Sequence, residues 1–256
     1  MMRHRTLAMF LAAAALSACD KNAVQDITSA PPGANIKFFN FGINAPGVNF
    51  YANDTKFTAI SSTSGAESTT GTVYGGVGNG GFYSGIATGS YTFSGKIAAA
   101  TDKDLAISKI TGTIADGKSY SLYLSGFYDA TAKSVDGFIV EDNYSAAIDY
   151  SQAYVRFVNA IPNSTPQTLY AKNTVTNTEI PIGGLVAYKG AGAFVPVPFG
   201  VYDLNTRTSG SSANAISRAA VSFVPGRVYS ISSRGDMTVV STTATNRPFL
   251  DNTTNR

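Results

Sequence analysis

Apolar and polar positions alternate along most of this chain in short runs broken by Gly, Pro, Asn and Asp. Ile36 and Phe38 flank Lys37, and Val48 to Tyr51 resume the alternation after a turn region containing Gly42, Asn44, Pro46 and Gly47. This period of two predicts strands. Residues 61–85 are rich in Ser, Thr and Gly and predict a loop. GIATGSYTF at 85–93 reads as strand, turn, strand, with Gly89 at the turn. Further strands are predicted at 105–114, at 119–124 after the Asp116-Gly117 turn, and at 135–140, followed by a polar linker near 141–152. Pro196 and Pro198 each lack a ladder donor, which places 194–198 at a sheet edge or strand end. No segment carries the periodicity of an amphipathic helix.

The pattern occurs twice. AYVRFVNAIPNSTPQTLYA at 153–171 echoes ANIKFFNFGINAPGVNFYA at 34–52. At an offset of 119, Lys37 pairs with Arg156, Phe38 with Phe157, Asn40 with Asn159 and Tyr51 with Tyr170. Further on, Tyr74 matches Tyr188, Tyr91 matches Tyr202 and Tyr120 matches Tyr229, with the offset falling to 109. The first copy therefore carries about ten extra residues, which loops between strands tolerate. Two units rich in short strands predict an all-β protein of two tandem β-sandwich domains, immunoglobulin-like or transthyretin-like. The first is placed at 34–145 and the second at 153–241, leaving 242–256 as a frayed polar tail. Asp116-Gly117-x-x-Tyr120 and Pro225-Gly226-x-x-Tyr229 resemble the tyrosine corner of immunoglobulin-like and fibronectin-type sandwiches, in which the hydroxyl bonds back to the preceding loop.

The start of the chain has a different character. Arg3, His4 and Arg5 precede an apolar run, Thr6 to Ala15, which is too short for a membrane-spanning helix. Leu16-Ser17-Ala18-Cys19 follows and resembles the bacterial lipobox, which implies cleavage before Cys19 and lipid on its thiol and amine. Residues 1–18 are then a lipoprotein signal peptide and 19–33 an acylated Cys with a polar tether ending in Pro31-Pro32-Gly33. Several acyl chains anchor stably where one is marginal. Asp20 resembles the inner-membrane retention signal of enteric lipoproteins, a rule that differs between bacterial groups. The expected address is the cell envelope, on the periplasmic face or cell surface, with inner and outer membrane left open.

Composition narrows the chemistry. Removal of Arg3 and Arg5 from the 19 basic residues leaves 17 against 16 acidic, and the bases are scattered, so no nucleic-acid partner is implied. His4 is the only His and Cys19 the only Cys; both belong to the signal or the anchor, and there is no Trp. Triads with His and zinc sites with His or thiolate are excluded from the mature chain, and with Cys19 lipidated so are disulfides. Asp102/Asp104 and Glu141/Asp142 are the visible carboxylate pairs, both read as solvated loop charges. Calcium at Glu141-Asp142-Asn143 lacks the EF-hand spacing. Gly76-x-Gly78-x-x-Gly81 matches the dinucleotide fingerprint as a bare pattern, but no helix pattern follows it and it reads as a loop. Asn40 and Asn159, just past a strand, read as side-chain-to-backbone turn residues.

The strand AYVRFVNAIPN, the later Gly-x-Tyr, the Gly-x-x-Tyr before a closing strand and the connecting stretch DGFIVEDNYSAAIDYSQAYVRFVN at 136–159 together resemble the envelope family called domain of unknown function 4397. The resemblance spans roughly 34–240 and implies an exported sandwich. It brings no activity, cofactor or catalytic residue to carry over. The expected function is a non-catalytic envelope module that binds protein or glycan, or acts as a spacer. The alternative is a carboxylate-dependent glycan hydrolase or a calcium-dependent carbohydrate binder. The site residue is Cys19, for lipid; no catalytic, metal or cofactor residue is assigned.

Overall fold

The structure is a computed structural model that describes residues 33–58 and 68–256, so the expected signal peptide, Cys19 and most of the tether lie outside the described residues. Gly33–Arg256 form one compact all-β unit. Among the described residues the only helical geometry is a 3-10 turn at Gly78–Gly81, with Asn79 and Gly80 in left-handed conformations, so no helix opens from the glycine-rich stretch.

The first repeat contains β1 (Ala34–Ile43), β2 (Val48–Ala52), β3 (Thr55–Lys56), β4 (Gly76–Val77), β5 (Ser84–Ile86), β6 (Gly89–Ile97), β7 (Ile110–Ile114), β8 (Ser119–Phe127) and β9 (Gly137–Glu141). The second contains β10 (Gln152–Asn159), β11 (Gln167–Asn173), β12 (Glu179–Val186), β13 (Gly190–Ala191), β14 (Val195–Pro198), β15 (Gly200–Thr208), β16 (Ile216–Phe223), β17 (Val228–Arg234) and β18 (Phe249–Thr254). Each repeat has the same two sheets. One runs β4-β1-β8-β9, with β5 also on β1; its counterpart runs β13-β10-β17-β18, with β14 also on β10. The others run β3-β2-β6-β7 and β12-β11-β15-β16. Even the registers agree: parallel β1 and β8 set Ile36 opposite Tyr120, and parallel β10 and β17 set Val155 opposite Tyr229.

The alternation read from the sequence fills both cores. Ile36, Phe38, Phe50, Phe93, Leu122 and Leu124 pack in the first; Val155, Phe157, Leu169, Leu204, Ile231 and Leu250 pack in the second. Gly137 lets β9 lie close on β8, since a Cβ there would sit 2.6 Å from the Tyr123 carbonyl oxygen. The Pro-bearing strand β14 pairs only with β10, as an edge strand should. Both tyrosine corners are present: Tyr120 Oη accepts from Ala115 N at 3.1 Å and Tyr229 Oη from Val224 N at 3.2 Å.

Two expectations are corrected. Residues 249–254, placed in a frayed tail, form β18. It pairs with β17 over six residues and buries Leu250 completely, because the second sandwich needs a counterpart to β9. After Phe249 and Leu250 the strand is polar, and so it carries little alternating apolar signal. Asp142, read as a solvated loop charge, is buried at 4% exposure with its carboxylate against Arg156, Ser121 and Tyr83. Its partner in that pair, Glu141, is exposed, and Asp102 is an exposed turn residue paired with Lys133 at 2.7 Å.

Candidate functional site at the seam between the repeats

The first repeat presents a second apolar face away from its core. Along β1, Ile36 and Phe38 point into the sandwich while Phe39 and Phe41 belong to a different cluster, with Tyr123, Phe138, Val158 and Ala160. A strand apolar on both faces is buried on both. Phe39 stacks on Tyr123 at 4.4 Å and Tyr123 on Phe138 at 5.0 Å. Tyr123 Oη and Ser232 Oγ lie 3.1 Å apart across the seam, and Ser125 Oγ donates to the Ala160 carbonyl at 2.8 Å. The two sandwiches meet through the outer faces of the sheets that contain β1 and β10.

The polar groups of this seam obey a local two-fold relation. Lys37 and Arg156 hold the same place in β1 and β10, and both are buried. Glu141 stands opposite Tyr120 in the first repeat, and Thr254 opposite Tyr229 in the second. Hence Glu141 corresponds to Thr254, and Asp142 to Asn255. Arg156 donates to the Glu141 carbonyl at 2.8 Å and to the Asp142 carboxylate. Lys37 donates to the Thr254 carbonyl and, at 3.5 Å, to Asn255 Oδ1. Each cation also lies over a ring of its own repeat: Lys37 over Tyr83 at 4.2 Å and Arg156 over Phe194 at 4.8 Å.

Charge breaks the symmetry. Asp142 answers Arg156 and also accepts from Ser121 Oγ at 2.8 Å and Tyr83 Oη at 2.5 Å. Asn255 carries no charge to answer Lys37. Burial therefore lowers the Lys37 ammonium to a pKa of about 8, the field of Asp142 working against the fall and that of Arg156 with it. Burial, and then the adjacent Asp142, push the Tyr83 hydroxyl up, and burial lifts Tyr123 to about 12. A further cation, Arg234, pairs with Asp251 at 2.5 Å and faces the rings of Tyr74 and Phe249 at 5.2 and 5.1 Å.

A cleft of about 680 Å³ opens at the Lys37 end of the seam, walled by Phe82, Tyr83, Arg227 and the stretch from Asn252 to Arg256. Its glycine-rich rim, Gly80 and Gly81, comes from the loop that the fingerprint pattern marked. The carboxylates do not assemble into a metal site, and among the described residues no three acidic, His or Cys side chains cluster. Glu141 is held by Lys118 at 2.8 Å, and the oxygens of Asp142 are taken by Arg156, Ser121 and Tyr83, which leaves no vacant oxygen set for calcium at 141–143. Asn40 and Asn159 do act as turn residues: Oδ1 accepts from Gly42 N at 3.3 Å and from Ile161 N at 3.2 Å. Both, however, lie within their strands rather than past them, Asn40 inside β1 and Asn159 as the last residue of β10. The seam residues Lys37 and Arg156 appeared in the sequence only as a repeat pair. Their signal was a cation at the same position in both copies, inside the apolar runs Ile36 to Phe39 and Val155 to Val158.

No protein-family model and no curated protein matches the chain. A solved structure described as the Bacillus anthracis TIE protein is similar over 80% of this chain and 34% of its own length, at 13% identity and a TM-score of 0.25. The chain thus spans about a third of that protein.

Proposed function

We propose that this is a bacterial lipoprotein, anchored in the cell envelope by lipid on Cys19, whose two sandwiches act as one non-catalytic binding or structural module of the domain-of-unknown-function 4397 kind. The observation that supports this reading best is the seam. Two sandwiches joined by a continuous apolar and hydrogen-bonded face form one compact unit, which suits a spacer or a presenting scaffold. The carboxylate pair nearest the seam, Glu141 and Asp142, is engaged by Lys118 and Arg156, which fits a structural role for it better than acid and base catalysis. Fractionation of cells expressing the wild type and Cys19→Ala tests the anchor: the wild type partitions with membranes and the variant does not. Equal partitioning overturns it. Crosslinking in the native host, followed by capture and mass spectrometry, tests the module; turnover of an envelope substrate by the purified protein overturns it.

A further inference from the structure

The two ends of the seam are built from matching residues but are finished differently. At one end, Lys118 pairs with Glu141 at 2.8 Å and Arg156 with Asp142. The ring of Tyr144 then closes edge-on over Phe194 at 5.7 Å. The run Glu141-Asp142-Asn143-Tyr144 thus supplies two carboxylates and an aromatic lid.

At the other end the counterparts of the two cations are Arg227 and Lys37. The correspondence is fixed by hydrogen bonds: Asn35 N donates to the Lys118 carbonyl and Tyr154 N to the Arg227 carbonyl, each at 2.9 Å. Asp142 N donates to the Ser119 carbonyl and Asn255 N to the Val228 carbonyl, each at 2.7 Å. Both carboxylates have been replaced, Glu141 by Thr254 and Asp142 by Asn255. The Arg227 side chain makes no ion pair with the described residues. The open cleft lies here, with Phe82 exposed at 76% on its rim.

We propose that this cleft docks an acidic, aromatic-bearing peptide segment of a partner protein, its carboxylates facing Arg227 and Arg256 and its ring against Phe82. At the opposite end Lys118, the counterpart of Arg227, is answered by the carboxylate of Glu141, which shows the chemistry that satisfies a cation at this position. Charge complementarity selects an acidic segment, because the lining includes Lys37, Arg227 and Arg256 and no Asp or Glu. Arg256 is partly committed, donating to the Ala146 carbonyl at 3.2 Å, so Arg227 is the principal exposed contact. The inference rests on reading the protein as a binding module and names the kind of partner.

The test uses the full chain and a labelled peptide of its own residues 140–149, VEDNYSAAID, followed by fluorescence anisotropy at low salt. Saturable binding is expected, weakened at least about tenfold when Glu and Asp of the peptide become Gln and Asn, or in Arg227→Gln. Phe82→Ala, a change at an exposed side chain, is expected to weaken binding about threefold or more. No binding at millimolar peptide overturns the proposal, as does equal binding of the amidated peptide or by Arg227→Gln. Saturable binding of an oligogalacturonate with none of the peptide overturns it too, and makes the cleft a glycan site. If the peptide fails while in-cell crosslinking still captures a partner, the module reading stands and only this cleft loses its role.

Discussion

Lys37 and Arg156, equivalent positions of two repeats, each reach across the seam to the closing strand of the other: Lys37 to Thr254 and Asn255, Arg156 to Glu141 and Asp142. The exchange is reciprocal in the manner of a two-fold dimer interface, here made within one chain. It ties the first strand of one sandwich to the last strand of the other, so the stability of either sandwich depends on both.

The buried Arg156–Asp142 pair is the first place to test this. Arg156→Met leaves Asp142 buried without its counter-charge and is expected to cost about 3–5 kcal/mol, read by urea denaturation. The double variant Arg156→Met/Asp142→Asn should be less destabilised than the sum of its singles by about 1 kcal/mol or more. Additive losses would show that the two groups do not act together.

Lys37 gives stability an unusual dependence on pH. Its folded pKa, about 8, lies below the ordinary lysine value of 10.5. Between these values the unfolded chain holds more protons than the folded one, so stability rises with pH from about 8 towards 10.5. The fall corresponds to a gain on the order of 3 kcal/mol at most. Tyr83 and Tyr123, shifted upward, act oppositely: their contribution is full below 10 and declines as pH climbs through their folded values. Urea midpoints from pH 7 to 10 should therefore rise for the wild type and rise less for Lys37→Met. Parallel curves for the two proteins would refute the role given to Lys37.

The two tyrosine corners should behave alike. Tyr120→Phe and Tyr229→Phe each remove the acceptor of a backbone N–H and are expected to cost about 0.5–1.5 kcal/mol apiece. A neutral result in both would reduce these tyrosines to plain core residues.

Leu250 separates a closing strand from a tail. Leu250→Ala is expected to lower stability by about 2–5 kcal/mol, whereas Val240→Ala, in the exposed connection before β18, is expected to stay within about 0.5 kcal/mol. Similar midpoints for both variants would mean that β18 contributes nothing to the second core.

The sequence by itself determined the class of the fold and its duplication. Alternation at Ile36–Phe38 and Val155–Phe157, turns at Gly117 and Gly226, and edge prolines at 196 and 198 are local signals, and local backbone preferences decide strands and turns. They also placed both tyrosine corners, because the turn and the tyrosine are near neighbours in the chain. The seam belongs to the tertiary structure. Alternation says that a strand has two faces but not what covers each, so nothing local to Phe39 and Phe41 names Tyr123, Val158 or Ala160 as their cover. Asp142 looked solvated for the same reason: its cation, Arg156, comes from the next repeat, and burial is a property of the packed whole. β18 escaped notice because an edge strand with one buried leucine draws its stability from the ladder to β17, and that pairing is not written in its own residues.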